Sequence, residues 1–211
     1  MSISILHKDC IEYMKSCDDG QFSIAITDPP YGLNYSNNPA RQMFDKCDWD
    51  KSIPTDEYWE QLFRVSQNQI IWGGNYFPLP PTQCFIFWYK QNPVDNFSDG
   101  ELAWTSFKRP AMCFDFRYYG GLQGKTKADD KIHPTQKPVE LYKWCLKNFA
   151  KQGDKILDTH LGSGSIAIAV DDMNKVEGMN LSLVGCEINE EYFKSAMKRI
   201  EQKTAQHSIF E

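Results

Sequence analysis

The sequence predicts an α/β protein with a single domain. Residues 153–200 alternate strand, helix, strand and helix, because apolar segments at 155–158 and 181–187 are each followed by turn residues and then by a helical pattern. A unit of this kind places its two strands side by side and parallel, with a right-handed connection. The length of 211 residues fits one large domain, and 41% hydrophobic with 24% charged residues is an ordinary globular composition.

The remaining elements fit the same sheet. Runs of β-branched and aromatic residues bounded by turn residues predict strands at 22–28, 69–73, 84–89, 101–107 and 111–116. Helices are predicted at 9–16, at 55–66, at 139–150 after Pro138, from Ser165 to about Met173, and after the capping residue Asn189. We therefore expect one domain over residues 1–211, without repeats or linkers.

Composition excludes several classes of protein. The apolar runs are far shorter than the roughly 20 residues of a membrane helix, and the segment after Met1 lacks the pattern of a secretory signal, so we expect no membrane contact and a cytoplasmic location. The seven cysteines are widely scattered without a Cys-x-x-Cys pair, which fits neither a zinc site nor a disulfide framework. The net charge of −5 argues, on the scale of the whole chain, against nucleic acid as a partner.

A glycine-containing loop at residues 158–165 predicts a cofactor site. It reads Asp-Thr-His-Leu-Gly-Ser-Gly-Ser, follows a strand and opens a helix, and Glu187 ends the next strand 23 residues after Gly164. Glycines let the backbone approach a ligand, and an acidic residue at that strand end can accept hydrogen bonds from ribose hydroxyls. The loop lacks the glycine spacing of dinucleotide binders and the Gly-Lys-Ser/Thr of a P-loop. S-adenosylmethionine therefore fits better than NAD or ATP, and a plain tight turn is the alternative.

A second cluster, at residues 28–31, predicts the reacting groups. Its residues are Asp28, Pro29, Pro30 and Tyr31, at the end of an apolar strand where α/β enzymes place their chemistry. The prolines fix the direction of the chain, so the cluster offers a carboxylate acceptor, a carbonyl acceptor and an aromatic face. The exocyclic amine of a nucleobase that has left its stack matches this arrangement. A strand-terminating turn with a core tyrosine is the alternative.

Three motifs together resemble a known family. The Asp-Pro-Pro-Tyr motif at 28–31, His-Pro-Thr-Gln-Lys-Pro at 133–138 and the loop at 158–165 occur, in this order, as in the amino-methyltransferases of DNA, and more narrowly as in their permuted β group. The resemblance covers the chain from about Asp9 to Ile200. It implies a Rossmann-like S-adenosylmethionine-dependent fold with circularly permuted motif order, a mostly parallel seven-stranded sheet with one antiparallel strand, and helices on both faces.

The resemblance also implies roles for individual residues. Asp28, the Pro29 carbonyl and Tyr31 would bind the target amine and base, with Pro30 in the same motif. The residues implied to contact the cofactor are Asp9, Cys10, Asp28, His133, Thr135, Lys137, Asp158, His160, Leu161, Gly162, Ser163, Gly164, Glu187 and Ile188. No metal is implied. Thr159 and His160 stand where the family more often has Pro-Phe, which makes His160 a substitute wall of the cofactor site rather than a catalyst.

The implied reaction is direct in-line transfer of a methyl group to an amine of double-stranded DNA, without a covalent enzyme intermediate. Asp at the first motif position favours adenine N6 over cytosine N4, since family members with Ser there more often act on cytosine. Cytosine C5 chemistry is disfavoured because the chain has no Pro-Cys pair. N4-cytosine methylation, a non-catalytic DNA-binding module on the same fold, and RNA or a protein amide as substrate remain the alternatives.

Local charge reverses the argument from the net charge. Residues 108–137 carry seven Lys or Arg and three Asp, and family analogy places target recognition at about 92–132. The cations predicted to contact DNA are Lys108, Arg109, Arg117, Lys125, Lys127 and Lys131. A loop at about 34–54 is a candidate lid over the flipped base, with an ordinary surface loop as its alternative. Dimerisation is common in the family, and any paired restriction endonuclease would be a separate chain.

Overall fold

A computed structural model describes residues 2–33, 52–91, 98–117 and 132–206. Its strands are β1 (Ile3–His7), β2 (Phe22–Thr27), β3 (Ser66–Trp72), β4 (Phe85–Tyr89), β5 (Gly100–Thr105), β6 (Met112–Asp115), β7 (Lys155–Asp158) and β8 (Ser182–Glu187). Its helices are α1 (Cys10–Lys15), α2 (Asp56–Val65), α3 (Val139–Phe149), α4 (Ser165–Glu177) and α5 (Glu190–Gln206). Most of the inserted loop predicted at 34–54, and residues 92–97 and 118–131 of the predicted recognition region, lie outside the described residues.

The described strands form one sheet of eight, in the order β1-β8-β7-β2-β3-β5-β4-β6. Within these strands only β5 is antiparallel to its neighbours, so the predicted mostly parallel sheet with one antiparallel strand is confirmed. The expected number of seven strands is wrong. No element is predicted from the sequence at Ile3–His7, yet this segment pairs with β8 at the edge of the sheet, and the alternation of Ile3 and Ile5 with serine is the strand signal that was missed.

Helices cover both faces of the sheet, because strand side chains alternate between the faces. On one face, α1 and α2 pack against Ala25, Ile71 and Leu157. On the other, α3, α4 and α5 pack against alternate residues such as Ile24 and Ile70. The helix α4 continues past the predicted end at Met173 and stops at Gly178, whose φ of +64° suits a helix C-cap. None of the helices in the described ranges is long and apolar enough to cross a membrane.

The sheet has a crevice between β7 and β2. These two strands are adjacent and parallel, with Ala25 opposite Leu157. From β7 the chain continues to β8 on one side, whereas from β2 it continues to β3 on the other. A reversal of strand order of this kind opens a crevice at the carboxyl ends of the strands, where α/β proteins bind their ligands.

Two of the described strands lie inside the region predicted to recognise the target. The antiparallel strand β5 is in the interior of the sheet between β3 and β4, and β6 forms its edge. Residues 100–105 and 112–115 are therefore part of the scaffold, which leaves the connections around these strands for recognition. The assignment of recognition to those connections stays a prediction.

Candidate active site at the ends of β2 and β7

The two predicted sites meet at the crevice. Asp28 follows the last residue of β2, and Asp158 is the last residue of β7. Both carboxyl groups therefore lie where the parallel strands have their carboxyl ends, a side of the sheet that we call the reacting edge. Glu187 ends β8, the next strand on the far side of β7. The fold thus brings together the residues that the sequence indicates for the reaction and for the cofactor.

Asp28 is held by two donors. The Tyr31 hydroxyl donates to its Oδ1 at 2.5 Å, and the Lys137 ammonium donates to its Oδ2 at 2.5 Å. Only 13% of the Asp28 side chain is exposed. Burial raises the pKa of the Asp28 carboxyl, and the charge of Lys137 offsets part of that rise. The carboxylate is therefore oriented from both sides, and the Lys137 cation favours its ionised form.

The ring of Tyr31 is positioned by an aromatic cluster and by a glycine. Tyr76 stacks on it with ring centroids 4.9 Å apart and an interplanar angle of 19°, and Phe77 meets it edge-on at 6.0 Å. Gly73, which follows β3, has a φ of +69°, and a Cβ there would lie 2.2 Å from Cε1 of Tyr31. Only glycine lets the chain approach the ring this closely.

The side chain of Lys137, which is expected to contact the cofactor, contacts Asp28 and Glu101. Its Nζ lies 2.5 Å from Asp28 and 3.1 Å from Oε2 of Glu101, and only 5% of its side chain is exposed. Burial lowers the pKa of Lys137, but the carboxylates of Asp28 and Glu101 raise it by a larger amount, so the ammonium stays charged. Its backbone carbonyl accepts a hydrogen bond from the Ser165 hydroxyl at 2.7 Å, which ties it to the start of α4.

The loop predicted to hold the cofactor has the backbone conformation that glycines permit. Gly162 and Gly164 have φ of +52° and +74°, and a Cβ on Gly164 would lie 2.8 Å from Cδ1 of Ile200. The N–H of Gly162 donates to Oε2 of Glu187 at 2.9 Å, while Oε1 of Glu187 accepts from the N–H of Asn189 at 2.9 Å. Glu187 therefore links the loop to the end of β8 and keeps lone pairs for further donors.

Asp158 is a deeply buried carboxyl at the head of this loop. Its side chain is 1% exposed, and its Oδ1 accepts from the backbone N–H of His160 at 3.0 Å. Burial raises the pKa of Asp158 to about 8, although the hydrogen bond from His160 works in the opposite direction. A buried acid whose pKa lies near 7 is a frequent feature of functional sites. A cationic ligand that binds beside it favours its ionised form.

His133 and Thr135 cover the loop. A Cβ built on Gly162 would meet the ring of His133 at 3.6 Å, and this ring packs edge-on against Tyr192 with centroids 4.4 Å apart. Thr135 contacts Nδ1 of the same ring through its hydroxyl at 3.1 Å. The buried Arg199 of α5, which the sequence analysis did not single out, donates to the carbonyl of Ser163 at 2.6 Å.

The other residues expected at the cofactor have mainly structural contacts. Asp9 is the N-cap of α1 and accepts from the N–H groups of Ile11 and Glu12 at 2.8 and 3.0 Å. Cys10 begins α1, and burial raises the pKa of its thiol to about 12. Leu161 is buried in the core beneath Gly185. Ile188 is 63% exposed after β8.

Thr159 and His160 form a network of hydroxyl groups under the crevice. The Thr159 hydroxyl lies 2.6 Å from that of Thr27, 2.7 Å from that of Tyr58 and 2.9 Å from Nδ1 of His160. Burial lowers the pKa of His160 to about 4, so its ring is neutral near pH 7. A neutral imidazole is compatible with the role predicted for His160, a wall of the cofactor site rather than a catalyst.

Comparison with known proteins places the chain in a family. The sequence profile for DNA methylases of the N6/N4 type matches residues 85–198, more than half of the chain. The chain belongs to the DNA methylase family. Type II methyltransferase M2.DpnII of Streptococcus pneumoniae is 23% identical to this methylase over an alignment that covers 93% of the chain and 89% of the relative.

Solved structures share the fold of this methylase. The putative DNA modification methylase TTHA0409 of Thermus thermophilus, complexed with S-adenosyl-L-methionine, superposes with a TM-score of 0.58 at 19% identity, covering 97% of this chain and 96% of that one. The cytosine-N4-specific PvuII DNA methyltransferase superposes with a TM-score of 0.57 at 14% identity, covering 99% and 92%. The same fold thus serves a cytosine-N4 enzyme.

The cations predicted to contact DNA fall into different parts of the methylase. Lys108 and Arg109 follow β5, which runs opposite to its neighbours, so they lie at the edge where the parallel strands begin, away from Asp28. Arg109 donates to the carbonyl of Asn148 at 2.9 Å and covers the ring of Phe149.

Arg117 has a different position, because it follows the parallel strand β6 and belongs to the edge that carries Asp28. Lys125, Lys127 and Lys131 lie outside the described residues. Of the predicted DNA contacts in the described ranges, Arg117 is therefore the one whose strand leads to the reacting edge.

Proposed function

We propose that this methylase transfers a methyl group from S-adenosylmethionine to the N6 amine of adenine at specific sites in double-stranded DNA. The observation that carries the proposal is the crevice between β2 and β7, because the Asp28 carboxylate and the loop headed by Asp158 end adjacent parallel strands. A methyl donor on the loop and an acceptor at Asp28 would then face each other across one crevice.

Asp28 and the Pro29 carbonyl would accept the two N–H hydrogens of the target amine. The amine nitrogen would gain positive charge as its lone pair forms the new bond to the methyl carbon, while the carbon–sulfur bond breaks with its electron pair left on sulfur, and the nitrogen would then pass one proton to solvent. A carboxylate fixed beside that nitrogen stabilises the developing charge. The ring of Tyr31 would stack with the flipped base, and its hydroxyl keeps the carboxylate oriented through the 2.5 Å hydrogen bond.

S-adenosylmethionine supplies the methyl group when it is bound at the loop. The left-handed backbone of Gly162 and Gly164 brings main-chain groups close to a ligand, Asp158 offers a carboxylate for its cationic methionine end, and Glu187 offers acceptors for ribose hydroxyls. His133, Thr135 and Ser163 would complete the site from the segment above it. Asp9, Cys10, His160, Leu161 and Ile188 would form its remaining wall, as the family resemblance implies.

The preference for adenine rests on Asp28 at the first position of the motif. The family resemblance associates Asp there with adenine and Ser with cytosine, and the fold is shared with a cytosine-N4-specific neighbour. N4-cytosine methylation is therefore the second candidate. The intact Asp28 and Glu187 oppose a purely DNA-binding role.

Arg117 would contact DNA phosphates near the reacting edge, and Lys125, Lys127 and Lys131 are the further cations proposed to contact phosphates. Counterion release by these cations would make the affinity fall as salt concentration rises. The relative from Streptococcus pneumoniae is a type II methyltransferase, which supports action in the cytoplasm within a restriction-modification system, with the endonuclease as a separate chain. A homodimer would share target reading between two small recognition regions.

The decisive experiment is methyl transfer by the purified protein from labelled S-adenosylmethionine to mixed-sequence DNA, with the products identified by mass spectrometry of digested nucleosides. N6-methyladenine is expected, whereas N4-methylcytosine alone would overturn the proposed base. The Asp28→Ala variant should lose transfer while it still binds the cofactor, measured by calorimetry. Incorporation into RNA but not DNA, or no transfer by the wild-type protein, would overturn the proposal.

A further inference from the structure

The proposed acceptor Asp28 belongs to a partly buried cluster of four charged side chains. The Lys137 ammonium lies between Oδ2 of Asp28 at 2.5 Å and Oε2 of Glu101 at 3.1 Å. The other oxygen of Glu101 accepts from Lys90, whose side chain is 19% exposed. Two carboxylates and two ammonium groups balance one another, and the pair of Lys137 and Asp28 is the more deeply buried of the two.

Glu101 reaches the reacting edge because β5 runs against its neighbours. The strand begins where the parallel strands end, and the backbone N–H of Gly73, just after β3, donates to the carbonyl of Leu102 at 2.8 Å. Tyr89, the last residue of β4, pairs with Gly100. Glu101, near the beginning of β5, therefore lies beside residues such as Asp28 that follow the ends of the parallel strands.

The resting contacts of Asp28 conflict with the role proposed for it. Tyr31 donates to one of its oxygens and Lys137 to the other, so the lone pairs left for the target amine lie beside a cation. A full positive charge in direct contact with Asp28 also opposes the positive charge that develops on the attacking nitrogen. Because attraction between unit charges in a poorly hydrated site is strong, Lys137 must shift its contact before Asp28 can serve the amine.

Glu101 provides a second position for the ammonium. Its Oε2 is buried and, among the described residues, has no hydrogen-bond partner, although it lies at 3.1 Å from Lys137 Nζ. A small rotation of the Lys137 side chain would turn this ion pair into a hydrogen bond and lengthen the contact with Asp28. Burial would raise the pKa of Glu101, but Lys137 and Lys90 outweigh it and lower that pKa to about 2, so this position stays anionic.

The other titratable groups near Asp28 do not supply the negative charge that competes for the Lys137 ammonium. Tyr31 and Tyr142 are neutral near pH 7, because burial raises the pKa of each phenol well above its ordinary value. Asp158 is largely protonated near pH 7 in the cofactor-free protein because burial raises its pKa to about 8, and with the cofactor bound its charge would pair with the cationic methionine end. Among the described residues that bear on Asp28, the balance between Lys137 and Glu101 sets the charge at the acceptor.

We infer that Glu101 is a positioning residue for methyl transfer, which draws the Lys137 ammonium from the Asp28 oxygen that the target amine needs. This role rests on the proposed function, whichever base supplies the amine. The Lys137 ammonium also lies 5.5 Å from the centroid of the uncharged Trp72 ring, and its anionic partners among the described residues are Asp28 and Glu101.

The test compares four variants by single-turnover methyl transfer to DNA, counting methyladenine and methylcytosine together. In Glu101→Gln the ammonium remains on Asp28, and the transfer rate should fall about tenfold to a hundredfold, with cofactor and DNA affinities changed less than about threefold. Glu101→Asp keeps the charge and should retain more activity than Glu101→Gln. Glu177→Gln, which changes an exposed ion pair with Lys147, is the matched control and should match the wild type.

The double variant Glu101→Gln with Lys137→Met separates positioning from a structural role. It removes the competing cation along with its partner, so transfer should recover above the Glu101→Gln rate, most clearly toward high pH, because burial raises the pKa of Asp28 and Lys137 no longer offsets that rise. A merely structural ion pair would give a double variant no faster than the single one, and that result would overturn the inference, as would a Glu101→Gln variant with at least half the wild-type rate. Wild-type protein that methylates no DNA would instead overturn the proposed function, and this role with it.

Discussion

The conformation of Gly73 and the position of Tyr31 depend on each other. A Cβ at Gly73 would lie 2.2 Å from Cε1 and 2.5 Å from Cζ of the tyrosine ring, and the φ of +69° is one that side chains rarely adopt. The glycine after β3 therefore makes room for the ring that is hydrogen-bonded to Asp28.

Gly73→Ala should slow methyl transfer by more than its loss of stability alone would explain. The methyl group would displace Tyr31 and disturb its hydrogen bond to Asp28, so methyl transfer should fall about tenfold or more, while the positive φ costs about 1 kcal/mol. Gly153→Ala is the matched control, since Gly153 has a φ of +83° with no atom within 4 Å of a built Cβ. Equal losses of activity in the two variants would contradict the prediction, and urea unfolding measures the stability difference.

Asp158→Asn should stabilise the cofactor-free protein while weakening cofactor binding. The pKa of Asp158 is raised from 3.8 to about 8, so the folded state favours its protonated form, and this carboxyl supports stability at low pH and loses that contribution as pH rises toward 8. Asparagine keeps an oxygen for the N–H of His160 without a charge to bury. The variant should therefore gain stability relative to the wild type between about pH 5 and pH 8, on the order of 2 kcal/mol.

Urea unfolding across that pH range, with titration calorimetry of S-adenosylmethionine, checks both parts. The exposed Asp18→Asn is the control and should show neither effect. An Asp158→Asn variant that unfolds more easily than the wild type at pH 8 would show that the carboxyl is ionised and stabilised in the free protein, against the pKa argument.

The strand-end residues of the site could be predicted because their positions follow from chain direction. Asp28, Asp158 and Glu187 each follow or end an apolar strand, and parallel strands carry their carboxyl ends to one edge. The local sequence thus contains both the side chain and the information about where it goes. The same holds for the left-handed glycines of the loop, since their residue type itself indicates an unusual backbone.

Other residues could not be placed from the sequence because their surroundings depend on sheet order. Glu101 stands at the beginning of a strand, and only the antiparallel direction of β5 brings it to the reacting edge. The same reversal carries Arg109 to the opposite edge, although it lies close in sequence to other cations. The partner of Lys137 is decided by how residues 133–138 pack across the crevice, which no local pattern encodes.

His160→Gln should leave the pH dependence of methyl transfer unchanged between about pH 6 and pH 9. Burial lowers the pKa of His160 to about 4, so the imidazole is neutral throughout this range and has no proton to exchange with the reaction. Its contact with the Thr159 hydroxyl, at 2.9 Å, indicates a structural wall. The rate should fall less than about tenfold, and a larger loss with a vanished ionisation in the pH–rate profile would identify His160 as a catalytic base.

Arg109→Ala should mainly lower stability, whereas Arg117→Ala should mainly weaken DNA binding. Arg109 donates to the Asn148 carbonyl and lies over Phe149 at the edge away from Asp28, so its loss should lower the free energy of unfolding by about 1–2 kcal/mol and leave DNA affinity unchanged.

Arg117 follows β6 at the reacting edge, so its loss should weaken DNA binding on all sequences and reduce the slope of log affinity against log salt by about one. Fluorescence anisotropy over a range of salt concentrations measures that slope for both variants, with urea unfolding alongside. A reduced slope for Arg109→Ala would mean that DNA reaches the edge where the parallel strands begin, and the path of DNA past Asp28 would have to be redrawn.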